Sequence, residues 1–218
     1  MKFNENVLLL YAVTNRAYAR GQTLYEQVEE ALKGGVTILQ LREKDLEYDD
    51  YLSEAKEICE LCHRYNVPFI VNDNVDIALK SGADGVHVGA EDLPVSRIRK
   101  IVPEDFIIGA TAKTVEQAVA AQTGGADYIG VGAVFPSPTK KNAVRITTEK
   151  LKEICDSTSL PAVAIGGITS ENALEIEGCG VKGIAVVSAI FGAENVIEAT
   201  VAIKEKAKRV VAKSGEKE

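Results

Sequence analysis

No apolar run in the sequence approaches the ~20 residues needed to cross a bilayer. The opening, MKFNENVLLLYAV, has one lysine and a short apolar stretch that leads straight into polar sequence without a cleavage site. It reads as a first strand, not an export signal. Basic residues are in the minority: 25 Lys and Arg against 32 Asp and Glu give a net charge of −7. That balance speaks against non-specific nucleic-acid binding. Four cysteines in 218 residues are too few to suggest a disulfide framework. The expectation from these absences is a soluble cytoplasmic protein without nucleic-acid or membrane partners. Histidine is scarce, with only His63 and His87, so histidine-driven nucleophilic or acid–base chemistry has few candidates. No low-complexity linker divides the chain, so residues 1–218 read as a single domain, with the polar 213–218 a frayed tail.

Short β-rich runs alternate with longer helical patterns throughout. Strands are expected at Leu8–Thr14, Thr37–Glu43, Pro68–Asp73, Gly85–Gly89, Phe106–Ala112, Tyr128–Val134, Pro161–Gly167 and Gly183–Ile190. Amphipathic stretches fall near 22–33, 49–65, 74–81, 94–101, 114–123, 147–156, 169–178 and 193–212. Gly34-Gly35, Gly82, Gly124-Gly125 and Gly180 each stand just before a strand, where a left-handed glycine can close the preceding helix. Eight repeats of helix, glycine stop and buried strand favour an α/β fold closed as a single (β/α)8 (TIM) barrel. No G-x-G-x-x-G follows the first strand, which weighs against a dinucleotide site. The long connection from Phe135 to Ile146 reads as a lid or an insertion.

Ligands of such a barrel bind at the C-terminal ends of its strands. Alternation along Gln40-Leu41-Arg42-Glu43-Lys44 sends Gln40, Arg42 and Lys44 to one face. An anionic ligand there competes with internal salt bridges as the explanation. Asn72-Asp73 and Glu91-Asp92 end or follow adjacent strands, a hard oxygen set suited to Mg²⁺; caps for the following helices explain Asp73 and Asp92 equally well. Gly166-Gly167 and Ser188 stand after strands seven and eight, the usual place of a phosphate cradle. His87, inside strand four, reads as a hydrogen-bonded core histidine more readily than as a catalytic base. Cys59, Cys62 and His63 spell C-x-x-C-H, the form of a covalent haem site, but lie on an amphipathic stretch with Ile58 and Leu61. The apolar-face reading takes precedence over haem or zinc.

Together QLREK at 40–44, VND at 71–73, GADGVHVGAEDLP at 82–94, TK at 139–140, AIGGI at 164–168 and VVSAI at 186–190 resemble the thiamine phosphate synthase family, in order along nearly the whole chain. The resemblance implies an enzyme that joins a hydroxymethylpyrimidine pyrophosphate to a thiazole phosphate and releases pyrophosphate. It implies that Gln40, Arg42, Lys44, Asn72 and Lys140 hold the pyrimidine pyrophosphate, with Arg42, Lys44 and Lys140 neutralising the leaving group. It implies Asp73 and Asp92 as Mg²⁺ ligands, and Ser137, Thr139, Gly167, Val187 and Ser188 as the thiazole phosphate site. Thr111 stands where the family usually has serine and keeps the hydroxyl and its substrate contact; Lys113 stands where the family usually has histidine. A homo-oligomer is compatible with the sequence. The alternatives are a thiazole tautomerase on the same barrel, expected to use the histidine that Lys113 replaces, and a non-catalytic sensor of thiamine precursors.

Overall fold

A computed structural model describes residues 3–136 and 144–214. Among them are eight parallel strands: β1 (Leu10–Val13), β2 (Ile38–Leu41), β3 (Phe69–Asn72), β4 (Gly85–Val88), β5 (Ile107–Ala112), β6 (Tyr128–Val131), β7 (Ala162–Ile165) and β8 (Gly183–Val186). Each pairs with the next and β8 returns to β1, closing a barrel. The helices are α1 (Leu24–Gly34), α2 (Tyr48–Arg64), α3 (Val75–Ser81), α4 (Val95–Ile98), α5 (Val115–Gly124), α6 (Thr148–Asp156), α7 (Ser188–Phe191) and α8 (Val196–Ser214). None is long and apolar enough to cross a membrane.

Local chemistry sets several of these boundaries. Thr23 and Glu26 exchange side-chain and backbone bonds in a capping box that starts α1. Gly35, at φ +97°, closes it with an N–H to the Ala31 and Leu32 carbonyls, a conformation open to glycine at little steric cost. Gly82 and Gly125 end α3 and α5 in the same way.

Strand alternation produces two cores. Tyr11, Val13, Ile38, Ile70, Tyr128, Val163 and Ala185 pack with Leu8 inside the barrel. Leu10, Ala12, Leu39, Leu41, Val71, Val86 and Ile108 face outward and pack against the helices. Gly183 begins β8 where the chain before β1 presses closest: a Cβ there would lie 1.8 Å from the Leu8 carbonyl oxygen. Gly183→Ala is therefore expected to destabilise the barrel by about 2–3 kcal/mol, read as a lowered urea midpoint. An unchanged midpoint would mean the backbone there yields freely.

Two expected elements come out differently. The strand predicted over Gly183–Ile190 stops at Val186, and Ser188–Phe191 turns into α7, with Phe191 N–H bonded to Val187 O at 3.0 Å. A short apolar run fits a buried strand and a buried helical turn equally well. The helix expected over 169–178 is a 3₁₀ turn at Ala173–Ile176, cut short by Gly178 and Gly180, both at positive φ. Of the predicted lid, residues 137–143 lie outside the described residues.

Candidate active site

The C-terminal ends of β2, β3 and β4 carry the charged groups. As β2 ends, the Arg42 amide donates to Thr14 Oγ1 at 2.9 Å, which fixes the path of the chain leaving the sheet. The Arg42 side chain is half-buried, and its guanidinium makes no ion pair with the described residues. Lys44 Nζ lies 2.5 Å from Asp73 Oδ2, so part of the internal salt-bridge alternative is realised here. Asp73 follows β3 in the left-handed region, at φ +63°, with its N–H on the His87 carbonyl at 2.8 Å. That turn brings its carboxyl to the carboxyl of Asp92.

The cap alternative for the two aspartates is not realised. Asn74 caps α3 through its side-chain oxygen on the Ile77 N–H, and the residue before α4 is Pro94. Asp92 Oδ2 instead accepts the Gly89 N–H at 2.7 Å, turning its carboxyl back toward the end of β4. Electrostatics separate the pair. Burial raises the Asp73 carboxyl, but the Lys44 ammonium and the bonds to Asp92 and Asn72 outweigh it and hold it below its usual value. Burial pushes Asp92 up and the neighbouring Asp73 charge adds to this, against the Gly89 bond. Among the described residues no three or more His, Cys, Asp or Glu side chains gather as a metal cluster.

Below this rim a hydrogen-bonded chain crosses the barrel. Gln40 Nε2 donates to Tyr11 Oη at 2.8 Å, Tyr11 Oη meets Tyr128 Oη at 2.7 Å, and Tyr128 Oη lies 3.0 Å from His87 Nδ1. His87 Nε2 lies 3.0 Å from Thr111 Oγ1, near the end of β5. Burial pushes the His87 imidazole down to about 4, so it is neutral at pH 7. His87 thus occupies the core position expected of it. The parts played by Tyr11 and Tyr128 escape sequence reasoning, since tyrosines in apolar strands read only as core. Lys113, one residue beyond β5, is half-buried, and its N–H bonds to Gln117 Oε1 at 2.7 Å.

Across the mouth, Gly166 and Gly167 have φ of +100° and +65°. A Cβ on Gly167 would lie 2.2 Å from the Pro136 carbonyl oxygen, so only glycine allows this approach of the loops after β6 and β7. Asn172 Nδ2 donates to the Gly167 carbonyl at 2.9 Å and its Oδ1 accepts the Thr169 N–H, holding the loop; the sequence reading missed this residue. Val187 and Ser188 begin α7 beside it. Ser137, Thr139 and Lys140 lie outside the described residues.

The C-x-x-C-H motif packs as a helix face. Cys59 and Cys62 are buried on α2, Cys59 donates to the Gly82 carbonyl, and His63 Nε2 lies 2.9 Å from Asp84 Oδ2. Burial pushes the Cys59 thiol up to about 12, leaving it protonated and inert.

A closed barrel with cations and paired carboxylates on one rim, and a glycine loop with a helical turn opposite, gathers its polar groups at the face where barrels of this class bind small molecules. The model of the family described as thiamine monophosphate synthase matches residues 10–190. A thiamine-phosphate synthase of Clostridium tetani is 46% identical over 190 residues, covering 87% of this chain and 91% of that protein. One of Methanobrevibacter smithii is 49% identical over 188 residues, covering 86% and 90%. The solved thiamine phosphate pyrophosphorylase of Pyrococcus furiosus superposes with a TM-score of 0.88 at 40% identity, covering 95% of this chain and 98% of that one. The chain belongs to the thiamine monophosphate synthase family and carries its activity, that of a transferase acting on small molecules.

Proposed function

We propose that the chain couples 4-amino-2-methyl-5-hydroxymethylpyrimidine pyrophosphate with thiazole phosphate by a Mg²⁺-assisted dissociative substitution at its barrel mouth. The observation that carries this reading is the set Lys44, Asp73 and Asp92, a cation and two facing carboxylates on the ends of neighbouring strands. Facing carboxylates repel, and an all-oxygen pair suits a hard divalent ion that keeps waters and takes its remaining ligands from a phosphorylated substrate. Asp73 and Asp92 would hold Mg²⁺, whose chemistry when bound is to neutralise the charge growing on the departing pyrophosphate.

The residues of the chain do the remaining work. Arg42 and Lys44, with Lys140 from the loop after β6, bind the pyrophosphate and stabilise it as it leaves. Gln40, Asn72 and Thr111 orient the aminopyrimidine, which delocalises the positive charge left on its methylene as the carbon–oxygen bond breaks. Gly167, Val187 and Ser188, with Ser137 and Thr139, hold the thiazole phosphate so that the ring nitrogen captures that methylene and forms the new carbon–nitrogen bond. Positioning and charge complementarity suffice, and no protein nucleophile is needed. The 135–146 connection acts as the lid over the pyrophosphate. The reading places the enzyme in the cytoplasm, and a homo-oligomer remains compatible with it.

Mass spectrometry of the purified protein incubated with both substrates tests this. Thiamine phosphate is expected only when both are present, in equal amount to the pyrophosphate released. Absence of product from the folded protein would overturn the reading.

A further inference from the structure

The chain of hydrogen bonds beneath the mouth can run in either of two directions, and the direction decides what Thr111 offers a ligand. Gln40 gives an N–H to Tyr11 Oη. A phenol accepting there has its own hydrogen left for Tyr128, and Tyr128 has its hydrogen left for His87 Nδ1. With Nδ1 accepting, a neutral imidazole carries its hydrogen on Nε2 and donates it to Thr111 Oγ1. The Thr111 oxygen is then an acceptor within the chain, and its hydroxyl hydrogen is left over. Among the described residues His87 is the only hydrogen-bond partner of that hydroxyl.

The space for the chain is cleared on purpose-built strands. A Cβ on Gly109 would lie 2.1 Å from Tyr128 Cζ and 2.5 Å from His87 Nδ1, and one on Gly130 would lie 3.1 Å from His87 Cε1. The opposite polarity is equally complete and excludes the first, because each phenol has one hydrogen. In it Gln40 presents its oxygen, His87 carries its hydrogen on Nδ1, and Thr111 donates inward and offers the mouth only lone pairs.

We propose that Tyr11, Tyr128 and His87 are positioning residues that hold His87 as the Nε2–H tautomer and so fix Thr111 as a hydrogen-bond donor to a ring nitrogen of the aminopyrimidine. The ligand half of this rests on the reading of Thr111 as a pyrimidine contact.

Two measurements test it. The chain has only two histidines, so long-range ¹⁵N–¹H correlation spectra, assigned with His63→Gln, isolate His87. A hydrogen on Nε2 is expected; a hydrogen on Nδ1 would reverse the chain and overturn the proposal whatever the activity. In kinetics, Tyr128→Phe is expected to raise KM for the pyrimidine pyrophosphate about tenfold, the worth of one oriented hydrogen bond. The KM for thiazole phosphate should stay unchanged. Thr111→Val should match this loss, and the double variant should be no worse than Thr111→Val alone. Additive losses, or an equal rise in both KM values, would assign Tyr128 a purely structural role and overturn the proposal. Absence of wild-type turnover would overturn the substrate reading and the ligand half with it, while the tautomer decides the other half independently.

Discussion

Replacing Asp73 by asparagine is expected to lower kcat by about 10²–10³-fold, the scale of losing one preorganised electrostatic contact to a developing anion. Asparagine is the informative choice. Asp73 sits at φ +63°, a region that asparagine tolerates and alanine does not, so the backbone turn after β3 survives. The substitution keeps the volume and removes the charge that faces Asp92 and Lys44. The thermal midpoint should therefore stay within a few degrees of wild type while turnover collapses. Steady-state kinetics at saturating substrates with a parallel melting curve make the check, and unchanged kcat would remove Asp73 from the proposed Mg²⁺ site.

Arg42→Ala is expected to lower kcat/KM for the pyrimidine pyrophosphate by about 10²-fold or more, with the KM for thiazole phosphate unaffected. Arg42 is half-buried at the mouth without an ion pair to the described residues, so its charge is available to a ligand, whereas Lys44 is shared with Asp73. Arg42→Lys should recover only part of the loss, because an ammonium cannot grip a diphosphate through two parallel N–H bonds. The two KM values measured separately decide the point. A rise confined to thiazole phosphate would put Arg42 on the wrong side of the mouth.

The barrel was legible because its signal repeats: apolar strand, amphipathic helix and glycine stop recur, and the alternation within QLREK points Gln40 inward to Tyr11 as expected. What the sequence hid depended on contacts distant in the chain or on single backbone angles. Tyr11 and Tyr128 are separated by 117 positions, and nothing local marks their hydroxyls as partners. Whether Asp73 capped α3 or faced Asp92 turned on one left-handed residue, and Asn74 took the cap. The end of β8 was overrun because VVSAI is apolar without a period long enough to separate strand from helical turn. The 169–178 helix failed for a different reason: Asn172 spends its side chain on the Gly167 loop and Gly178 ends the turn, so the segment braces the loop after β7.

The most direct test of magnesium-assisted coupling is the rate of pyrophosphate release by the purified protein given both substrates, first with Mg²⁺ and then with excess EDTA. The account predicts release that needs both substrates, stops with EDTA and returns when Mg²⁺ is restored. Release that continues undiminished in EDTA would contradict it.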